Sequence, residues 1–269
     1  MKIYIMTDLE GVSGVVAWEE RKDESPWNIR MRRQKARLLT GEVNAAVDGA
    51  FSAGATELVV DDSHGGAYTI DFEQLDSRAR IVHGRERPRI MAGIDESFDG
   101  MLFVGAHAMA RTQGAVLYHT MSRETREIRI NGKPIGELGI FAFVAGAFGV
   151  PTLMVTGDTA ACREAEALLP GVTAVAVKEG YSRYSALSWS PTRAREMIRG
   201  AAHDCIARRA KVKPLVFEPP FSYQEDTFSA DAEVMASSPA KLPSTWATGE
   251  EIRAATAREL IQKVWGREV

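Results

Sequence analysis

Lys2-Ile-Tyr-Ile-Met-Thr7 runs directly into Asp8-Leu9-Glu10-Gly11, and this junction decides the fold class. Side chains alternate across an extended segment, so Ile3 and Ile5 fall on one face and Tyr4 and Met6 on the other. Both faces are apolar. A strand buried on both sides belongs to a parallel sheet covered by helices, not to an antiparallel sheet with one wet face.

Working outward, a polar loop over residues 19–26 leads to Leu39, Val43, Ala46, Val47, Ala50 and Phe51 at helical spacing, with Gly54 as the stop. Strands are expected at Glu57–Val60, Ala79–Val82, Met101–Gly105 and Thr152–Thr156. The apolar run Leu138–Val150 falls short of the ~20 residues that span a bilayer and reads as a core helix. This alternation predicts an α/β fold with a doubly wound, mostly parallel sheet. Asn131-Gly132, placed after Ile128 and Ile130, predicts an inserted hairpin over residues 127–135. Ser190-Pro191 opens a helix through Ala194, Ile198, Ala201 and Cys205.

The composition then changes. Five of the eleven prolines lie between Pro214 and Pro243, where Phe228, Ala230, Ala232 and Val234 alternate like a half-buried strand. Thr248 and Glu251 form a capping-box pattern for a last helix ending near Trp265. The expected organisation is an α/β domain at 1–189 and a smaller C-terminal α+β subdomain at 190–269.

Charge excludes several classes. The 269 residues carry 33 Lys+Arg against 36 Asp+Glu, a net −3, which gives no electrostatic reason for a nucleic-acid or membrane partner. Arg30, Arg32, Arg33, Lys35 and Arg37 read as a solvated helical face rather than a phosphate site. Asp8 and Glu10 interrupt any secretory apolar segment, so a cytoplasmic protein is expected. Cys162 and Cys205 lack CxxC spacing and read as buried, reduced thiols. No Walker loop, G-x-G-x-x-G or G-x-S-x-G is present, which disfavours an NTPase, a dinucleotide enzyme and a serine hydrolase.

Acids and histidines fall just past strand ends. Asp8 and Glu10 follow the first strand, His64 the second within DDSHGG, and His107 a later one within VGAHA. In an open α/β sheet those ends meet at the ligand crevice. Singly, each has a plain reading, Asp8 as a helix cap and Glu10 as a surface acid. Together they need a central cation. Glu137, at the start of the apolar helix, offers a third carboxylate, and such a set suits two Zn²⁺ ions. His119, in LYHTMS, either delivers a proton to a leaving amine or bonds a backbone carbonyl. Asp158 is an N-cap or a substrate contact, and Lys178 a solvated cation or the holder of a substrate carboxylate. His83 and His203 are left as structural.

MTDLEGVSG, DDSHGG, VGAHAMARTQGAVLYHTMS, INGKPIGELG and VTGDTAACREAEALLPGV, in this order, resemble the zinc-dependent D-aminopeptidases of the dipeptide-operon type. The likeness covers residues 1–190 and fades beyond Pro191. It implies a metallopeptidase with two zinc ions per subunit, ligated by Asp8 as the bridge, Glu10, His64, His107 and Glu137, with His119 in a catalytic role. It also implies a ring-shaped homo-oligomer, a decamer, acting on short peptides with an N-terminal D-residue such as D-Ala. The signature serine is replaced by Met6, which leaves the ligands in place and alters their surroundings.

The expected function is therefore release of N-terminal D-amino acids from short peptides by a hydroxide bridging the two metals. The alternatives are a metal-dependent amidohydrolase on a non-peptide amide and a non-catalytic metal-stabilised binding or assembly protein. A two-metal phosphohydrolase ranks lower, since Lys178 and Arg111 are the only nearby cationic clamps that the sequence suggests.

Overall fold

The strand Lys2–Thr7 (β1) sits inside a seven-stranded sheet of a computed structural model that describes residues 1–228 and 246–266. Its neighbours are β2 (Glu57–Asp62) on one side and β4 (Gly100–Ala106) on the other, both parallel. The full order is β3-β2-β1-β4-β7-β8-β9, with β3 at Ala79–Val82, β7 at Thr152–Asp158, β8 at Thr173–Ser182 and β9 at Ser185–Ser188. Only β9 runs antiparallel, as the return of a hairpin with β8. The α/β class and the mostly parallel sheet hold.

The two faces of β1 enter different cores, as its alternation requires. Ile3 and Ile5 pack with Leu39, Val43 and Val47 of α1 (Pro26–Ser52) and with Ala194 and Ile198 of α4 (Pro191–Ala207). Tyr4 and Met6 pack on the opposite face with Phe103 and with Ile140 and Phe143 of α2 (Glu137–Gly146). α2 is buried along all but its first residue, so the run from Leu138 is indeed a core helix. α3 (Thr159–Leu168) and α5 (Ala257–Trp265) contribute Ala165, Leu260 and Ile261 to the same side.

The inserted hairpin, β5 (Thr125–Ile130) and β6 (Lys133–Ile135), forms part of a second, antiparallel sheet. β5 pairs with β10 (Phe221–Phe228), and β10 pairs along its other edge with β11 (Trp246–Thr248) and β12 (Ile252–Ala254). Elements beyond residue 190 thus join both layers, α4 packing on α1 and β10 on β5. The alternation expected from Phe228 to Val234 lies, past Phe228, outside the described residues.

Two local expectations are corrected. Thr248 pairs with Asp226 in β11 and caps no helix. The last helix is capped by Thr256, whose hydroxyl accepts from Glu259 N at 3.1 Å. Lys35 is buried rather than solvated, because its ammonium donates to the carbonyls of Ala17 and Trp18 at 2.8 and 2.9 Å. Cys162 and Cys205 are free and buried. No helix among the described residues is long and apolar enough to cross a membrane.

Candidate metal centre

The sheet order reverses beside β1: the chain steps one way from β1 to β2 and β3, the other way from β4 to β7 and β8. At such a switch point the loops leaving neighbouring strands part and open a crevice. Asp8 and Glu10 leave β1 there, His64 follows β2, and His107 follows β4. Glycine makes the approach possible. Gly105 has φ +85°, and a Cβ on it would lie 2.0 Å from the Asp8 carbonyl oxygen; only glycine tolerates both the left-handed backbone and that contact.

The side chains converge in two groups that share Asp8. His64 Nδ1 stands 2.8 Å from Asp8 Oδ1 and 3.1 Å from Glu10 Oε2. His107 Nε2 stands 3.2 Å from Asp8 Oδ2 and 3.4 Å from Glu137 Oε2. Asp8 thus turns one oxygen to each imidazole. His119 joins the second group, its ring stacked on His107 at 4.0 Å between centroids and 15° between planes.

The orphaned atoms tell what this set fits. Asp8 Oδ2, Glu10 Oε2 and His107 Nε2 are buried with no hydrogen-bond partner. His107 Nδ1 donates to the Ala108 carbonyl at 3.0 Å, so in the neutral ring Nε2 presents a lone pair to carboxylate oxygens. Lone pairs aimed at one another underground need a proton or a cation between them. Asp8, Glu10 and His64, and separately His107, His119 and Glu137, each bring ligand atoms within 4.8 Å of one another. Imidazole with carboxylate is a donor set that suits zinc.

Without a cation the centre balances itself with protons. Burial alone would push His107 down, but the Glu137 and Asp8 carboxylates override it and raise the imidazole to about 10. His64 is likewise held well above its usual value, Glu10 and Asp8 outweighing burial. Burial, and then the charge of Glu10, raises Asp8 to about 7. His119 goes the other way, to about 4, through burial and the neighbouring His107. Its Nδ1 donates to the Leu117 carbonyl at 3.0 Å, so the neutral ring keeps its lone pair on Nε2.

Surrounding groups fix these side chains, and several carried no sequence signal. Glu19 Oε2 lies 3.7 Å from His64 Nε2, on the ring edge away from Asp8, and is itself ion-paired with Arg21 at 2.5 Å. Glu137 Oε2 accepts from Met121 N at 2.7 Å. Glu164 accepts from Met109 N at 2.8 Å, two residues past His107. Glu42, fully buried on α1, accepts from Ser13 N at 2.9 Å. Glu19 was legible only as a loop acid, and Glu42 and Glu164 only as polar positions on helices.

Asp158 and Lys178 stand apart from the convergence. Asp158 Oδ1 accepts from Ala160 N and Ala161 N as the N-cap of α3, and Oδ2 accepts from Val116 N at 2.6 Å. Lys178 is buried, and its ammonium donates to the carbonyls of Glu10, Val12 and Val15, the last two at 3.0 and 2.6 Å. It ties down the loop that carries Glu10. His83 stacks on Phe72, and His203 lies exposed beside Asp204. Met6 is buried in the apolar layer on the Tyr4 face of β1, opposite Asp61 of β2 in the sheet register.

The profile of the D-aminopeptidase family matches residues 1–263. The chain belongs to the D-aminopeptidase family. Its likeness to these D-aminopeptidases therefore runs well past Pro191, where the motifs alone let it fade. A D-aminopeptidase of Bacillus subtilis (strain 168) is 39% identical over 216 residues, which cover 80% of this chain and 77% of that protein. A solved structure of the Zn-dependent D-aminopeptidase DppA from Bacillus subtilis, described as a self-compartmentalizing protease, superposes with a TM-score of 0.84 at 33% identity. It covers 97% of this chain and 94% of that one. As a family member the chain is an aminopeptidase, a hydrolase of peptide bonds.

Proposed function

We propose that the chain is a zinc aminopeptidase that releases N-terminal D-residues such as D-Ala from short peptides. In this reading Asp8, Glu10, His64, His107 and Glu137 hold two zinc ions, with Asp8 between them. The observation that carries it is the division of the Asp8 carboxylate, Oδ1 toward His64 and Oδ2 toward His107, each beside a further carboxylate. Zinc bound in this centre supplies Lewis acidity for the peptide carbonyl and for water.

The chain's own residues supply the rest. His119, neutral at physiological pH because burial and His107 depress it, takes a proton at Nε2 from the attacking water. It then returns that proton to the amide nitrogen, which must leave as an amine because an amide anion leaves poorly. Glu19 faces the outer nitrogen of His64 at 3.7 Å, the side from which outer carboxylates orient ligating imidazoles. Lys178 and Asp158 keep the walls of the crevice in register rather than touching substrate.

Assembly into a closed homo-oligomer belongs to the same reading, supported by the self-compartmentalizing relative; a decamer is the form proposed. Free, buried Cys162 and Cys205 accord with a cytoplasmic setting. The experiment is hydrolysis of paired D-Ala and L-Ala dipeptides by zinc-replete protein. Faster release from the D-peptide supports the reading. Equal rates would remove D-specificity, and no cleavage of either would favour a non-peptide amide or a binding role.

A further inference from the structure

A cavity of about 610 Å³ opens beside the centre, with Glu137 in its wall. That volume suits a small ligand rather than a folded protein. Phe141, Ile90 and Trp265 also line it, as do three arginines, Arg85, Arg87 and Arg89.

Two of these arginines are committed. Arg87 is held by the Asp61 carboxylate and the Asp62 carbonyl. Arg89 donates to the carbonyls of Met91 and Ile94 at 2.9 and 2.7 Å. Arg85 forms no hydrogen bond, ion pair or ring contact among the described residues, and Glu86 beside it forms no ion pair with it. The Arg85 guanidinium lies over the backbone of Gly66, where a Cβ would stand 3.0 Å from its Nε. Gly66 follows His64 by two residues, at most ~7 Å of chain. Arg85, without a partner among the described residues, therefore lines the same cavity as Glu137 and the three apolar side chains, and the Arg21 guanidinium lies over the same glycine, 3.0 Å from the Cβ position at Gly66.

We propose that Arg85 receives the C-terminal carboxylate of a short peptide whose scissile bond lies at the carboxylate–imidazole centre. The enzyme then reads the C-terminal end of its substrate, and Phe141, Ile90 and Trp265 in the same cavity take the apolar side chain of the residue beside that carboxylate. A planar guanidinium matches a carboxylate with two parallel N–H donors. Free short peptides are the class this selects; peptides amidated at the C-terminus lose the contact. This inference rests on the peptidase reading above and adds a specificity residue to it.

The test compares D-Ala-D-Ala with D-Ala-D-Ala amide, using zinc-replete wild type, Arg85→Gln and Arg85→Lys. Wild type is expected to favour the free acid in kcat/KM by about tenfold or more. Arg85→Gln should bring the acid-to-amide ratio to about one, mainly through a higher KM, because the contact is remote from the bond that breaks. Arg85→Lys should restore part of the ratio. Equal wild-type rates on acid and amide would overturn the role of Arg85 and leave the peptidase standing. An undiminished ratio in Arg85→Gln would do the same. Failure of wild type to cleave either peptide would overturn the peptidase reading, and this proposal with it.

Discussion

His119 lies face to face with His107, 4.0 Å between ring centroids and 15° between planes. The stack places a neutral imidazole against a candidate ligand, with its Nδ1 fixed on Leu117 O. Replacing His119 with Asn is therefore expected to lower kcat by a factor of about 10²–10⁴, the usual worth of a positioned acid–base group. The five proposed ligands, Asp8, Glu10, His64, His107 and Glu137, remain, so zinc content should hold. Steady-state kinetics with metal analysis on the same sample checks this, and loss of zinc together with activity would make His119 a ligand instead.

Glu19 has a different signature. It sits behind His64 and is anchored by Arg21, so Glu19→Gln should weaken metal affinity by about 10–100-fold while fully loaded enzyme keeps much of its kcat. Competition with a chelator measures the affinity. An unchanged affinity would reduce Glu19 to a surface ion pair with Arg21.

Lys178 was open to reading as a substrate contact, yet its ammonium fastens three carbonyls of the Glu10–Val15 segment. Lys178→Met should leave those buried carbonyls without donors, at about 1–3 kcal/mol for each one not recovered by water. A lowered thermal midpoint and weakened zinc retention are expected. A variant that folds and loads normally but shows only a raised KM would restore the substrate role.

Much of this was legible in the sequence, and the remainder was illegible for physical reasons. The apolar faces of Lys2–Thr7 announce a strand with helices on both sides, and the strand ends then locate Asp8, Glu10, His64 and His107. A lysine after an apolar run reads the same whether solvated or buried, because its fate depends on carbonyls more than 160 residues away in the chain. Thr248 and Thr256 are both followed three residues later by Glu. Only the second opens a helix, since β11 draws Thr248 into pairing with Asp226. The hairpin at Asn131-Gly132 was readable, but its partner β10 was not, because strand pairing across about 90 residues leaves no local mark.

Glu42 makes stability depend on pH. Burial raises its carboxyl to about 7 from an ordinary 4.5. A carboxyl raised in the fold binds its proton more tightly than in the unfolded chain, so its contribution is complete below about 4.5 and is lost as pH rises through about 7. Glu42→Gln keeps an oxygen for Ser13 N and removes the titration. Denaturant unfolding of metal-free protein at pH 5 and pH 8 should show the variant gaining on wild type at the higher pH, by up to about 3 kcal/mol. An identical pH dependence in both would contradict the assignment.

The central claim, one carboxylate shared by two metal groups, meets its most direct test in the zinc content of the purified protein. Elemental analysis after zinc-replete purification and removal of loose metal should give two zinc ions per wild-type chain, and fewer in Asp8→Asn, whose amide cannot serve both His64 and His107 as a charged bridge. One zinc or none per wild-type chain, or two retained by Asp8→Asn, would contradict it.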